Sequence, residues 1–219
     1  MKLALTLAAL AVFAAPPARA ALLATDPHTY PVTAKHRIRL EFPVGQLRVV
    51  ASDGSTVRFD LKVRCKHATD ERCEEMANHL ILDSDDVGGT LHLKLHKYPE
   101  WNNHGMEVIG QLSVPRALAV DIEMGVGELD IDGLEGDLDV ELGVGEADIH
   151  ASRALANHVS VDAGIGDAEI RVGGSSTRSR SFIGSHAVWT GATTQGTGRD
   201  GHSAVRLHVG VGDATVRLE

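Results

Sequence analysis

Apolar and polar residues alternate with a period of two along most of this chain, and Gly-x-Gly breaks the alternation at intervals. Val120, Ile122 and Met124 precede Gly125-Val126-Gly127, and Leu129 and Ile131 follow it. Leu138, Val140 and Leu142 precede Gly143-Val144-Gly145, and Ala147 and Ile149 follow. The layout returns around Gly164-Ile165-Gly166 and Gly210-Val211-Gly212, with a degenerate copy, Phe182-Ile183-Gly184-Ser185, between them. First residues of the copies stand at 125, 143, 164, 182 and 210, so the offsets are 18, 21, 18 and 28. Period-two alternation predicts half-buried strands, and glycine supplies the positive dihedrals of a tight corner. Repeats near twenty residues predict one stacked supersecondary unit per copy. The expectation is an all-β chain in which residues 116–219 form a β-solenoid of stacked 18–28-residue repeats. The middle residue of each corner (Val126, Val144, Ile165, Val211) is expected to fill the interior, and the last copy, Val205 to Leu218, to close the stack. An antiparallel sandwich is the alternative.

Residues 21–115 read as a strand-rich region with one short helix. Ala21 to Lys35 carries Pro27 and Pro31 and predicts an extended lead-in. Ile38, Leu40 and Phe42 then face one side, a strand follows at Gln46 to Ala51, and Val57, Phe59, Leu61, Val63 and Cys65 alternate after the Asp53-Gly54 turn. Pro43-Val44-Gly45-Gln46-Leu47 aligns on Gly125-Val126-Gly127-Glu128-Leu129, as a worn first copy would. Over Asp70 to Leu80 the apolar residues Cys73, Met76, Ala77 and Leu80 fall at helical spacing, with Asp70, Glu71, Glu74 and Glu75 early in the segment, where the helix dipole favours acids. Strands are predicted again at Thr90 to His96 and Val108 to Val114. Gly173 to Ser203, rich in Gly, Ser, Thr and Arg, predicts mobile loops flanking one worn rung.

Composition adds the compartment. Met1-Lys2, an apolar run from Leu3 to Ala15 and the exit Pro16-Pro17-Ala18-Arg19-Ala20 predict a secretory signal peptide over residues 1–20. No later stretch is long and apolar enough to predict a membrane span. The formal charge of -9 argues against nucleic acid and anionic lipid as partners. Acid is concentrated: from Asp121 to Asp148 stand eleven Asp or Glu and no Lys or Arg. Cys65 and Cys73 are the only cysteines, and export makes a disulfide between them the default. Free thiols, or a metal site drawing on His67 and His79, remain open, although the spacing fits no standard zinc pattern.

Candidate chemistry is sparse. His92 and His96 fall on one strand face with Trp101 and His104 in the loop beyond, a set that could hold a metal or a sugar; the plainer expectation is solvated histidines and a Trp that plugs one end of the domain. Calcium-binding nonapeptide repeats need an Asp two residues after the second Gly, where this chain has Leu129, Ala147, Ala168 and Ala214. No Gly-x-Ser-x-Gly elbow supplies a nucleophile. The aligned carboxylates Glu128, Glu146, Asp130, Asp148 and Asp167 are candidates for weak Ca²⁺ coordination, against the reading of a solvated polar face.

Leu112-Ser113-Val114-Pro115 with Ala119 to Gly125, the paired turns GVGELDIDGLEGDLDVELGVGEADI and the closing VRLHVGVGDATVRL carry a resemblance to the DUF4097 adhesin-type family of secreted bacterial proteins, over roughly Arg37 to Leu218. That family usually has a small residue such as Ser where this chain has Val or Ile at mid-corner. The resemblance implies a β-solenoid domain outside the cytoplasm and brings no catalytic residues. The functional expectation is a non-enzymatic, adhesin-like exported protein, periplasmic or at the cell surface, whose partner is an envelope polysaccharide or protein. A small polysaccharide-acting enzyme of parallel β-helix type and a purely structural periplasmic module are the alternatives.

Overall fold

The computed structural model describes residues 21–24, 27–66, 71–99, 105–181, 184–191 and 203–219. The expected signal peptide, His67, Trp101 and His104 lie outside the described residues. The strands are β1 Ala21–Ala24, β2 His28–Pro31, β3 Arg37–Ser52, β4 Thr56–Cys65, β5 Ile81–Val87, β6 Thr90–His96 and β7 Met106–Pro115. They continue as β8 Ala119–Asp132, β9 Leu138–Ala151, β10 Ala156–Val172, β11 Ser175–Ser181, β12 Ser185–Thr190 and β13 Ser203–Leu218. The helix α1, Glu71–His79, buries Cys73 and Ala77 and is tied to β4 by a Cys65–Cys73 disulfide.

The all-β expectation holds: among the described residues thirteen strands form one mixed sheet. Its centre is five long strands in the order β3-β8-β9-β13-β10, all parallel and in register. Each passes through a corner at its Gly-x-Gly, or at Pro43-Val44-Gly45 in β3. Phe42 and Leu47, Met124 and Leu129, Leu142 and Ala147, Val209 and Ala214, and Ala163 and Ala168 are all buried, the two members of each pair five residues apart. In a flat strand such residues point to opposite faces. Both can be inside only if the chain folds over at the corner, so each long strand is an arch whose two arms share one interior.

The ends of the stack confirm two layers. β6 pairs with the first arm of β3 over Arg37 to Glu41, and β7 with its second arm over Gln46 to Ser52. At the other end β12 pairs with the first arm of β10 and β11 with the second. The continuous centre thus opens into two facing sheets at both ends, with the core between them.

Several expectations are corrected. The last copy does not close the stack: β13 lies between β9 and β10. The copies share one ladder pattern, so alternation alone cannot order them. Phe182 and Ile183 of the degenerate copy lie outside the described residues, and the strands on either side of it run backwards, β11 and β12 both being antiparallel to β10. Much of the predicted mobile stretch is therefore strand, hidden from a compositional reading because β11 is a polar, exposed SSTRSRS. β5 was not predicted either, its run of Asp and Ser lying on an exposed edge. Finally, the mid-corner residues point outward: Val126, Val144, Ile165 and Val211 are 46%, 46%, 48% and 43% exposed. The corner is too tight to receive them, because the arm residues on either side already meet inside.

Candidate binding surface

The second arms present their polar residues outward in columns. One runs Gln46, Glu128, Glu146, Asp213, Asp167, and the next Arg48, Asp130, Asp148, Thr215, Glu169. The structure therefore brings together the carboxylates singled out in the sequence, in an order set by the stack. A shallow groove of about 620 Å³ crosses this face, lined by Glu128, Asp130, Glu146, Asp148, His150 and Arg217 and extending to Gln46, Arg48 and Gln111.

Like charges one rung apart repel, and the second column is relieved by cations the sequence places in register. Arg48 lies 3.4 Å from Asp130 and Arg217 2.7 Å from Asp148. Glu169, 7% exposed in its side chain, receives Arg171 at 2.9 Å and Arg178 at 2.7 Å. The hydrogen bond from Arg171 holds its carboxyl below the usual range, helped by Arg178 and opposed by burial. Arg180 in β11 does the same for Asp167 at the end of the first column, 2.9 Å away. Arg178 and Arg180 of β11 are ion-pair partners of this face, and come from a stretch that a reading by composition assigned to loops; the signal was their spacing, every second residue, as in a strand. Glu128 and Glu146 make no ion pair among the described residues. Asp148 Oδ1 is buried without a hydrogen bond and faces His150 Nε2 at 3.6 Å.

The outer face of the first arms is closer to neutral. Arg37 binds Asp121 at 2.6 Å, Arg39 lies 3.5 Å from Glu123, Arg206 lies 3.2 Å from Asp139, and Lys94 pairs with Glu41. The hydrogen bond from Lys94 lowers the Glu41 pKa. His92 and His96 both stand on the outer side of β6, and His96 is taken by Asp83 at 3.0 Å. Ser160, Asp162 and His186 meet across β10 and β12, but the aspartate stands between hydroxyl and imidazole. In a hydrolytic triad the imidazole must touch the serine, so this cluster has the wrong order for a nucleophile. Among the described residues no three His, Cys, Asp or Glu side chains converge as metal ligands, and no helix is long and apolar enough to cross a membrane.

No protein-family model matches the sequence, and no curated protein matches it. Among solved structures the chain is similar to a candidate cell adhesion protein from Clostridium sporogenes, at 14% identity and a TM-score of 0.47, covering 89% of this chain and 99% of that one. It is similar to a candidate adhesin from Bacteroides fragilis at 15% identity and a TM-score of 0.29, covering 90% and 97%. A candidate lipid-binding protein from Parabacteroides distasonis gives 9% identity and a TM-score of 0.26, covering 89% and 97%.

Proposed function

We propose that this chain is a non-enzymatic, adhesin-like protein working outside the cytoplasm, a solenoid-like stack of arches that holds a polar envelope polymer, polysaccharide or protein, against its second-arm face. One observation carries the reading: the stacked arms repeat the same outward positions in register, so acceptors and donors line an open groove, Glu128, Glu146 and Asp148 beside Arg48, His150 and Arg217. A long, shallow, mixed-charge strip suits many weak contacts to a polymer better than it suits one enclosed reacting bond. The Cys65–Cys73 disulfide supports an oxidising compartment.

The test is retention of labelled mature protein on isolated cell envelopes and on arrayed glycans, beside a Glu146→Ala/Arg217→Ala variant with an unchanged melting curve. Saturable retention that the variant loses is the expected result. No retention under any condition removes the proposal. Turnover of a polysaccharide that disappears in Asp130→Asn or Asp148→Asn would replace it with the enzymatic reading.

A further inference from the structure

The outward corner residues form a feature separate from that face. Val126 neighbours Val144, Val144 neighbours Val211, and Val211 neighbours Ile165, each on the adjacent arch, with the half-buried Val44 continuing the row at the β3 end. At the four Gly-x-Gly corners the flanking glycines have no side chains to cover these residues, while Val44 stands between Pro43 and Gly45. Five such residues at the strand spacing make a bare apolar ridge roughly 19 Å long. Single exposed apolar residues are ordinary; a continuous row is not. The core does not require it, because these side chains point away from the interior. Stacking between neighbouring branched side chains accounts for their buried halves only.

The margins of the ridge are acidic on both sides. Three residues before each ridge position stand Glu41, Glu123, Glu141, His208 and Asp162, and two residues after stand Gln46, Glu128, Glu146, Asp213 and Asp167. Glu128, Glu141 and Glu146, at the middle of the ridge, make no ion pair among the described residues. A second copy of the chain meeting ridge to ridge would oppose carboxylate to carboxylate, and an anionic lipid surface would be repelled likewise. The complementary partner has an apolar stripe with cationic margins.

The spacing selects its conformation. A helix lying along the ridge presents one apolar position per 5.4 Å turn, within about 0.6 Å of the rung spacing of about 4.8 Å. An extended strand presents same-face residues about 6.7 Å apart, some 2 Å out of step at every rung. We propose that the corner ridge Val126-Val144-Val211-Ile165 docks a basic amphipathic α-helix of a partner protein, its apolar stripe on the ridge and its Lys or Arg on Glu128, Glu141 and Glu146. The ridge residues themselves lie outside the polymer-binding groove, but Glu128 and Glu146 border both, so the threonine variants, and not the glutamine variant, separate this inference from the polymer-binding reading.

A fluorescent helical peptide with a leucine stripe and lysine margins is the probe, and a peptide of the same composition with the stripe scrambled is the control; the mature full chain is titrated by anisotropy at moderate salt. Saturable binding at least tenfold tighter for the striped peptide is expected. At least tenfold weakening is expected in Val126→Thr/Val144→Thr/Val211→Thr, which keeps the branched shape, and a smaller loss in Val144→Thr alone, which serves if the triple variant fails to fold. Glu128→Gln/Glu141→Gln/Glu146→Gln is expected to weaken binding and flatten its salt dependence. Equal binding of both peptides, or binding unchanged by the threonine variants, overturns the proposal. Self-association of the chain that the threonine variants abolish would assign the ridge to a second copy instead. Retention on envelopes or glycans is read separately, so either proposal can fail alone.

Discussion

Replacing Gly145 by alanine probes the arch stack at its tightest point. Gly145 has φ +147°, and a Cβ there would lie 1.8 Å from the carbonyl oxygen of Gly127 on the next arch. Ordinary contact would require that distance to grow by about 1.5 Å, a third of the rung spacing of about 4.8 Å. The backbone conformation alone costs an L residue roughly 1 to 3 kcal/mol. Pushing the arches apart adds the loss of about two ladder hydrogen bonds, near 1 kcal/mol each. A total of about 3 to 5 kcal/mol is a large part of the 5 to 15 kcal/mol that stabilises most domains. At roughly 2 to 4 °C per kcal/mol for a chain of this size, Gly145→Ala lowers Tm by about 10 °C. Gly89→Ala is the control: its φ is +82°, but nothing lies within 4 Å of the added Cβ. It bears the conformational cost alone, about 1 to 2 kcal/mol. Thermal unfolding followed by circular dichroism measures both. Equal shifts in the two variants would refute the close approach of the carbonyl as the cause.

Four further outcomes can be measured. Mass spectrometry of the non-reduced protein gives one Cys65–Cys73 linked peptide, and Cys65→Ser/Cys73→Ser lowers stability by about 2 to 3 kcal/mol, as expected of a short closed loop; two free thiols after export would contradict the structure. Glu169 has its pKa lowered in the folded state, so its contribution is present above the unfolded carboxyl pKa and is lost as pH falls through the folded one. Glu169→Gln should therefore lower Tm at pH 7 and leave it unchanged at a pH where Glu169 is protonated in both states; an equal deficit at both would make its role one of packing. Glu128 and Glu146 stand one rung apart, where unit charges repel by about 1 kcal/mol even in water, so Tm rises from low to moderate salt and Glu146→Gln removes part of that rise. The weak Ca²⁺ binding expected from the sequence is tested in the same titration: we propose that any such binding is a loose bridging of neighbouring carboxylates such as Glu128 and Glu146, since no three ligands converge among the described residues. A higher Tm in CaCl₂ than in NaCl at matched ionic strength supports it, and equal values leave Glu128, Glu146, Asp130, Asp148 and Asp167 as a solvated face.

Strand identity was legible wherever burial imposes alternation, as in Val120-Ile122-Met124 or Val57 to Cys65. It was lost where a strand is an edge with little to bury, as in β5 and β11. The worn first copy was legible in full: Val44 pairs with Val126 and Gly45 with Gly127. Pro43 stands where the other copies have their first glycine, and the stack explains why. A Cβ on Gly125, Gly143, Gly210 or Gly164 would strike the carbonyl of the preceding arch at 2.4 to 2.6 Å. β3 has no such neighbour at that point, since its pairing with β6 ends at Glu41 and that with β7 begins at Gln46. The acidic columns were also legible, because identical copies in register must align them. Their cations were not, because Arg178 and Arg180 come from a reversed strand and Arg217 from a copy displaced in the stack.

The placement of β13 has a physical cause in the residues beside the corner. Along the stack the buried pair changes from Phe42 and Leu47 to Met124 and Leu129, then Leu142 and Ala147, Val209 and Ala214, and Ala163 and Ala168. Side-chain volume at the corners falls at each step from the β3 end to the β10 end. In chain order the series would run Leu142, Ala163, Val209, setting the smallest pair between two larger ones. Interiors are close-packed, and both a void and an extra methylene there are costly. An alanine pair between leucine and valine rungs would leave a void, and a valine pair at the β10 end would overfill it. Backbone ladders that accept any copy as a neighbour are thus ordered by core volume. Between β9 and β10, Val209 and Ala214 take their place in the falling series of side-chain volumes.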